Sequence, residues 1–210
     1  MAEILILIFS IIALIFSVVI HEVAHGAVAN SLGDPTAKYA GRLTLNPLKH
    51  FDWVGSFFLP LLLTLLRSPF IFGWAKPVPI NPYNFRDQKY GQVKVAVAGV
   101  AANFALAAIF GLILRFWPVI LDPVSAGFYT LAQSVVIINL GLAVFNLIPI
   151  PPLDGSHILF AFLPPSQTDF KIFLQKYGPV FLLVFIFFFL PVIWPIIAFL
   201  YQIITGVALE

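Results

Sequence analysis

Apolar residues in this chain fall into long blocks rather than into a helical stripe or a regular alternation. The blocks are residues 3–30, 52–72, 90–117, 125–148 and 179–207. A helix needs about 20 apolar residues to cross a bilayer. The pattern therefore predicts an all-α polytopic membrane protein with about four to five transmembrane helices. Two polar stretches, KYAGRLTLNPLKHFD and FGWAKPVPINPYNFRDQKYG, flank the second block. In GRLTLNP, Arg42, Thr44 and Asn46 alternate with Leu43 and Leu45, a period of two that predicts a short membrane-associated β-strand. Pro77, Pro79 and Pro82 forbid helix and favour extended chain. An ordinary surface loop is the alternative for both stretches.

Block 52–72 contains Gly55, Pro60 and Pro69, breakers that suit a re-entrant segment. Pro191 and Pro195 interrupt the last block, which reads as one kinked span or two shorter pieces. The organisation is thus a single integral-membrane domain, 1–210. It comprises a first span (3–30), a strand and re-entrant region (37–89), core spans (90–117 and 125–148), a proline-rich segment (149–163) and a kinked C-terminal span (179–207). The first block has Glu3 as its only early charge and no small-residue cleavage site, so it is expected to be a retained span rather than a signal peptide.

Composition supports the bilayer. The 210 residues are 61% hydrophobic and 10% charged, against roughly a quarter charged in soluble domains. The absence of cysteine excludes disulfides, iron–sulfur clusters and thiolate metal sites. A net charge of +2, with no basic patch interleaved with aromatics, gives no reason to expect a nucleic-acid partner.

The chemistry begins at SVVIHEVAHGAVAN, where His21, Glu22 and His25 lie inside an apolar span. Ionisable groups at that depth are costly and mark function. The pattern is H-E-x-x-H on a helix: two neutral imidazoles one turn apart can bind zinc, with the glutamate taking a proton from water. A catalytic zinc uses three protein ligands. The candidates for the third are Asp122, Asp154, His157, Asp169, His50 and Asp52. Asp154 stands out in FNLIPIPPLDGSHIL, where Pro149, Pro151 and Pro152 break a helix and Gly155 frees the backbone. Unwound chain at membrane depth is tolerated where it lines a cavity; a plain helix-ending turn is the alternative.

HEVAH in an N-terminal span, followed by NLIPIPPLDG after a later one, resembles the site-2 protease family of intramembrane zinc metalloproteases (peptidase M50). The likeness covers nearly the whole chain. It implies that His21, His25 and Asp154 bind one zinc ion per chain and that Glu22 is the catalytic acid/base. Asn146 opens the second motif. Asn103 lies in AGVAAN, which resembles the family's Gly-Pro-x-x-Asn with Val100 in place of proline. Either amide could donate to an oxyanion or a substrate carbonyl, or bond across helices. The implied activity is hydrolysis of peptide bonds within or near transmembrane segments of membrane proteins. No room is expected for a PDZ or nucleotide-sensing module. A metal transporter or a non-catalytic scaffold for membrane segments is the alternative, although neither needs the full set of four groups.

Topology offers a check. For Asp154 to reach the histidines, an even number of crossings must separate them. Blocks 90–117 and 125–148 supply two, so 52–72 should not cross. Lys38, Arg42, Lys49, Arg67, Lys76, Arg86, Lys89 and Lys94 then share one side with Lys171 and Lys176, leaving Arg115 opposite. The positive-inside rule makes the shared side, and the active site, cytoplasmic, in a cell membrane.

Overall fold

The computed structural model describes residues 2–66, 73–120 and 126–209. Its α-helices are α1 (Ala2–Ser31), α2 (Thr36–Tyr39), α3 (Leu59–Leu65), α4 (Gly91–Ile120), α5 (Ala126–Asn146), α6 (Asp154–Phe162) and α7 (Thr168–Thr205). Among the described residues, four stretches are long and apolar enough to cross a membrane: Glu3–Ser31, Gly91–Phe116, Gly127–Asn146 and Thr168–Phe189. Helices are the natural result, because hydrocarbon offers no partner to an open backbone amide. The chain is an all-helical, multi-pass membrane protein. Its outward side chains are apolar, among them Ile4 and Leu5 on α1, Ile109 on α4, and Phe188 and Phe199 on α7.

Helix α4 is central and packs against α1, α5, α6 and α7. Its Ala107 and Leu114 meet Ala132, Val136 and Leu140 of α5 and Ile193, Ile197 and Tyr201 of α7. Alanines at these contacts let the backbones approach closely. A second cluster, Ala29, Phe85 and Val95, fastens the polar 73–90 stretch to the ends of α1 and α4.

The expected β-strands do not form among the described residues. Residues 74–81 are extended but have no strand partner. Pro77 and Pro79 have no N–H to offer a ladder. The carbonyls of Lys76 and Pro77 instead accept from the Arg42 guanidinium at 2.5 and 3.3 Å, which draws the 41–46 stretch into turns. A re-entrant segment over 52–72 is not borne out either. A π-helical turn, Trp53–Phe58, runs into α3, and together they make only a short apolar helix, Trp53–Leu65. Residues 67–72 lie outside the described residues. The C-terminal span begins earlier than its apolar block, at Thr168, and continues as one helix with Pro179, Pro191 and Pro195 inside it. Hydropathy locates the buried part of such a helix, whereas its first polar turns, with Asp169 and Lys171, extend beyond it.

Candidate metal centre

His21 and His25 are i, i+4 on α1 and project from one face, both only 7% exposed. Each imidazole is anchored through Nδ1. His25 Nδ1–H donates to the Val95 carbonyl of α4 at 2.7 Å. His21 Nδ1–H donates to Asn103 Oδ1 at 2.6 Å. A carbonyl oxygen can only accept, so each proton sits on Nδ1 and each Nε2 presents a lone pair. The two Nε2 atoms face each other at 2.9 Å.

Asp154 supplies the third atom. The chain leaves α5 at Asn146, turns through Pro149, Pro151 and Pro152, and starts α6 at Asp154. Ser156 stiffens this turn, donating its backbone N–H and its hydroxyl to the Leu153 carbonyl at 3.0 and 2.6 Å. Asp154 Oδ2 lies 3.2 Å from His21 Nε2 and 3.3 Å from His25 Nε2. It is buried and has no hydrogen-bond donor. Three acceptor atoms thus converge with no proton to share, an arrangement that repels itself unless a cation sits among them. In tetrahedral zinc sites, with bonds of about 2.0–2.1 Å, ligand atoms lie about 3.3 Å apart. The donor set, its spacing and the orphaned oxygen all fit that ion. Among the described residues, His21, His25 and Asp154 are the group with metal-ligand geometry.

Two glycines permit the approach. A Cβ on Gly99 of α4 would lie 2.5 Å from the His25 ring and 2.7 Å from that of His21. A Cβ on Gly155 would collide with the Leu147 carbonyl. Only glycine lets α4 close on the two imidazoles and the Asp154 turn close on the end of α5.

The three acceptor atoms open onto a cleft of about 370 Å³. Glu22 lines it, and its Oε2 accepts the Val78 backbone N–H at 2.8 Å. Pro77, Val78 and Ile80 of the extended stretch line it too, as do Asn146 and His157. Asn146 donates through Nδ2 to the Leu142 carbonyl one turn back in α5. Asn103, by contrast, is fully buried behind His21, its amide engaged with His21 and Asn139. It does not line the cleft.

Of the other third-ligand candidates, His157 reaches the cleft one turn after Asp154. His50 is buried elsewhere, Nε2–H donating to the Thr44 carbonyl. Asp52 caps the π-helical turn through Val54 and Gly55 N–H. Asp122 lies outside the described residues. Sequence reasoning missed Asp34, Asn139 and Ser17. Asp34 is fully buried and accepts from Thr36, Asn81 and Asn84. Its signal was the turn-forming Asp-Pro that precedes α2. For Asn139 and Ser17 the signal was a polar side chain inside an apolar span.

A helix bearing H-E-x-x-H, its imidazoles met by a carboxylate within a bundle of apolar helices, defines the class of membrane metallopeptidases. Comparison with known proteins agrees. The family model "Peptidase family M50" matches residues 119–185. "Putative zinc metalloprotease YwhC" of Bacillus subtilis (strain 168) is 37% identical over 89% of this chain and 84% of its own. "Putative zinc metalloprotease Rip2" of Mycolicibacterium smegmatis is 33% identical over 72% of this chain and 56% of its own. "Putative zinc metalloprotease MJ0611" of Methanocaldococcus jannaschii is 31% identical over 75% of this chain and 72% of its own. No solved structure matches. The chain belongs to peptidase family M50, the site-2 proteases, and is a zinc metalloendopeptidase. The transporter and scaffold alternatives fall away.

Proposed function

We propose that this enzyme cuts peptide bonds within or beside transmembrane segments of other membrane proteins, with one zinc ion held by His21, His25 and Asp154. The observation that carries the reading is the convergence of His21 Nε2, His25 Nε2 and Asp154 Oδ2 at 2.9–3.3 Å, beside a glutamate and among bilayer-length helices. When bound, the ion lowers the pKa of a water molecule and polarises the scissile carbonyl.

The chain's own groups do the rest. The Val78 N–H holds Glu22 Oε2 in place, so the other carboxylate oxygen can take the proton from the attacking water and pass it to the leaving amine. Asn146, which also lines the cleft, is the candidate donor to the carbonyl oxygen as charge develops there. The substrate must reach the site unwound, since a helical peptide keeps its carbonyls in internal hydrogen bonds. The extended wall at 74–81 offers such a strand a place to lie.

The site faces the cytoplasm. Support comes from the meeting of His21 with Asp154 across the two crossings α4 and α5, from the shortness of Trp53–Leu65, and from the basic residues gathered on that side. The backbone bond from Trp74 N–H to the Gly55 carbonyl, 3.2 Å, also brings the chain back to where that helix began.

The test compares membranes expressing wild type with membranes expressing Glu22→Gln, which retains the ligands, by sequencing newly formed peptide termini. New termini inside transmembrane segments should appear with wild type only. Termini confined to soluble segments would overturn the reading.

A further inference from the structure

Three buried polar side chains lie behind the ligands, one from each of three spans: Ser17 on α1, Asn103 on α4 and Asn139 on α5. Their exposures are 4%, 0% and 0%. Burial of an amide or hydroxyl costs free energy unless it is hydrogen-bonded. These three are bonded to one another in a chain that ends on His21.

The direction of that chain is fixed from its far end. Asn139 donates from Nδ2 to the Val135 carbonyl and to Ser17 Oγ, both at 2.9 Å. The carbonyl can only accept, so this end of Asn139 is its NH2 group and its Oδ1 is turned to Asn103. Asn103 Nδ2 donates to that oxygen at 2.8 Å and to the Ser17 carbonyl at 3.3 Å. Asn103 Oδ1 is thereby the atom presented to His21 Nδ1. Flipping either amide would set donor against donor or oxygen against oxygen.

We propose that Ser17, Asn139 and Asn103 form a buried relay that holds His21 in the Nδ1–H tautomer and aims its Nε2 lone pair at the metal. Ser17 and Asn139 are positioning residues that act through Asn103. The inference rests on His21 being a metal ligand. The relay serves one imidazole only, because His25 has its own anchor in the Val95 carbonyl. It also ties the ligand to the docking of α1, α4 and α5, so His21 is aimed only when all three are seated. Partners behind a ligating histidine fix its ring and tautomer, and their loss typically lowers metal affinity by about 10- to 100-fold.

The experiment measures zinc affinity in detergent, by competition with a chromophoric chelator. It uses wild type, Asn103→Leu, Asn139→Leu, the double variant and Ser17→Ala. Visible spectra of the cobalt-substituted proteins and thermal unfolding of the metal-free proteins accompany it. Each leucine variant should bind zinc about 10- to 100-fold more weakly and shift the cobalt bands. The double variant should be no weaker than Asn103→Leu alone. Ser17→Ala, a small change that decides the matter if the leucine variants do not fold, should show a lesser loss in the same direction.

Side chains that merely glue helices would lower thermal stability while leaving affinity and spectrum as in wild type, or would give additive losses. Either result overturns the relay while the metal reading stands. A folded wild type that binds no zinc overturns the metal reading and the relay together.

Discussion

Glu22 sits one residue from His21, yet its position is set from 56 residues away by the Val78 amide. A general base, the role proposed for Glu22, must be held with one oxygen facing the reacting water, and a backbone N–H does this without competing for a proton. The choice of Val78 is constrained, since its neighbours Pro77 and Pro79 have no N–H to give. Val78→Pro should therefore cut turnover while leaving zinc content unchanged. The lost bond is to a charged group and is worth about 1.5–3 kcal/mol, or about 10- to 160-fold in kcat. Unchanged kcat, with metal retained, would show that Glu22 does not depend on this contact. H-E-x-x-H was legible at this scale because i, i+4 spacing is a local property of a helix. The Val78 contact was not, because no local rule joins residues so far apart.

Among the elements, the stretch 74–84, extended until the single turn at Pro82–Asn84, matters most to the cleft, and it is held by side chains rather than by a sheet. Arg42 takes its carbonyls near one end, and Asp34 takes the Asn81 N–H and the Asn84 amide at the other, at 2.7 and 2.8 Å. Burial raises the Asp34 carboxyl, but bonds from Thr36, Asn84 and Asn81 outweigh it and hold it below the usual carboxylate range. The sign of the pH effect follows. A depressed folded pKa contributes stability that is full above the unfolded value, about 3.9, and is lost as pH falls through the folded value. Amide exchange in 76–84 should thus be slow and protected down to about pH 4 and should gain openings below it, whereas Asp34→Ala should expose this stretch at neutral pH. Equal protection in the variant at neutral pH would show that the carboxylate is not the clamp. The period-two pattern at 41–46 misled at this scale. Alternation records which side chains face the same way, but a strand also needs a partner with free N–H groups, and the prolines opposite supply none.

For the whole molecule, the proposed orientation rests on the placement of the basic residues and on the meeting of α1 with the Asp154 turn. The chain has no cysteine, so single introduced thiols report topology without background. Leu48→Cys, at a position 80% exposed, should react with a membrane-impermeant thiol reagent only when the cytoplasmic face is opened. Val207→Cys, beyond the end of α7 and 53% exposed, should react in intact cells. Both thiols labelling from the same face would contradict the orientation.

The sequence by itself determined that the long apolar blocks become helices, that two imidazoles and a glutamate share one of them, and that a proline-broken turn ends at Asp154, because hydropathy, helical spacing and backbone breakers are local physical properties. Its likeness to a family then joined the two motifs. Only the tertiary structure decided that Oδ2 of Asp154 meets both Nε2 atoms, that Asn103 stands behind His21 rather than in the cleft, and that Ser17 and Asn139 continue its hydrogen bonds. Those outcomes depend on how closely α1, α4 and α5 pack at Gly99, and on which buried amide finds which carbonyl once they do. Polar side chains buried between spans must be satisfied by whatever the neighbouring helix presents, and a single chain of letters does not record that neighbour.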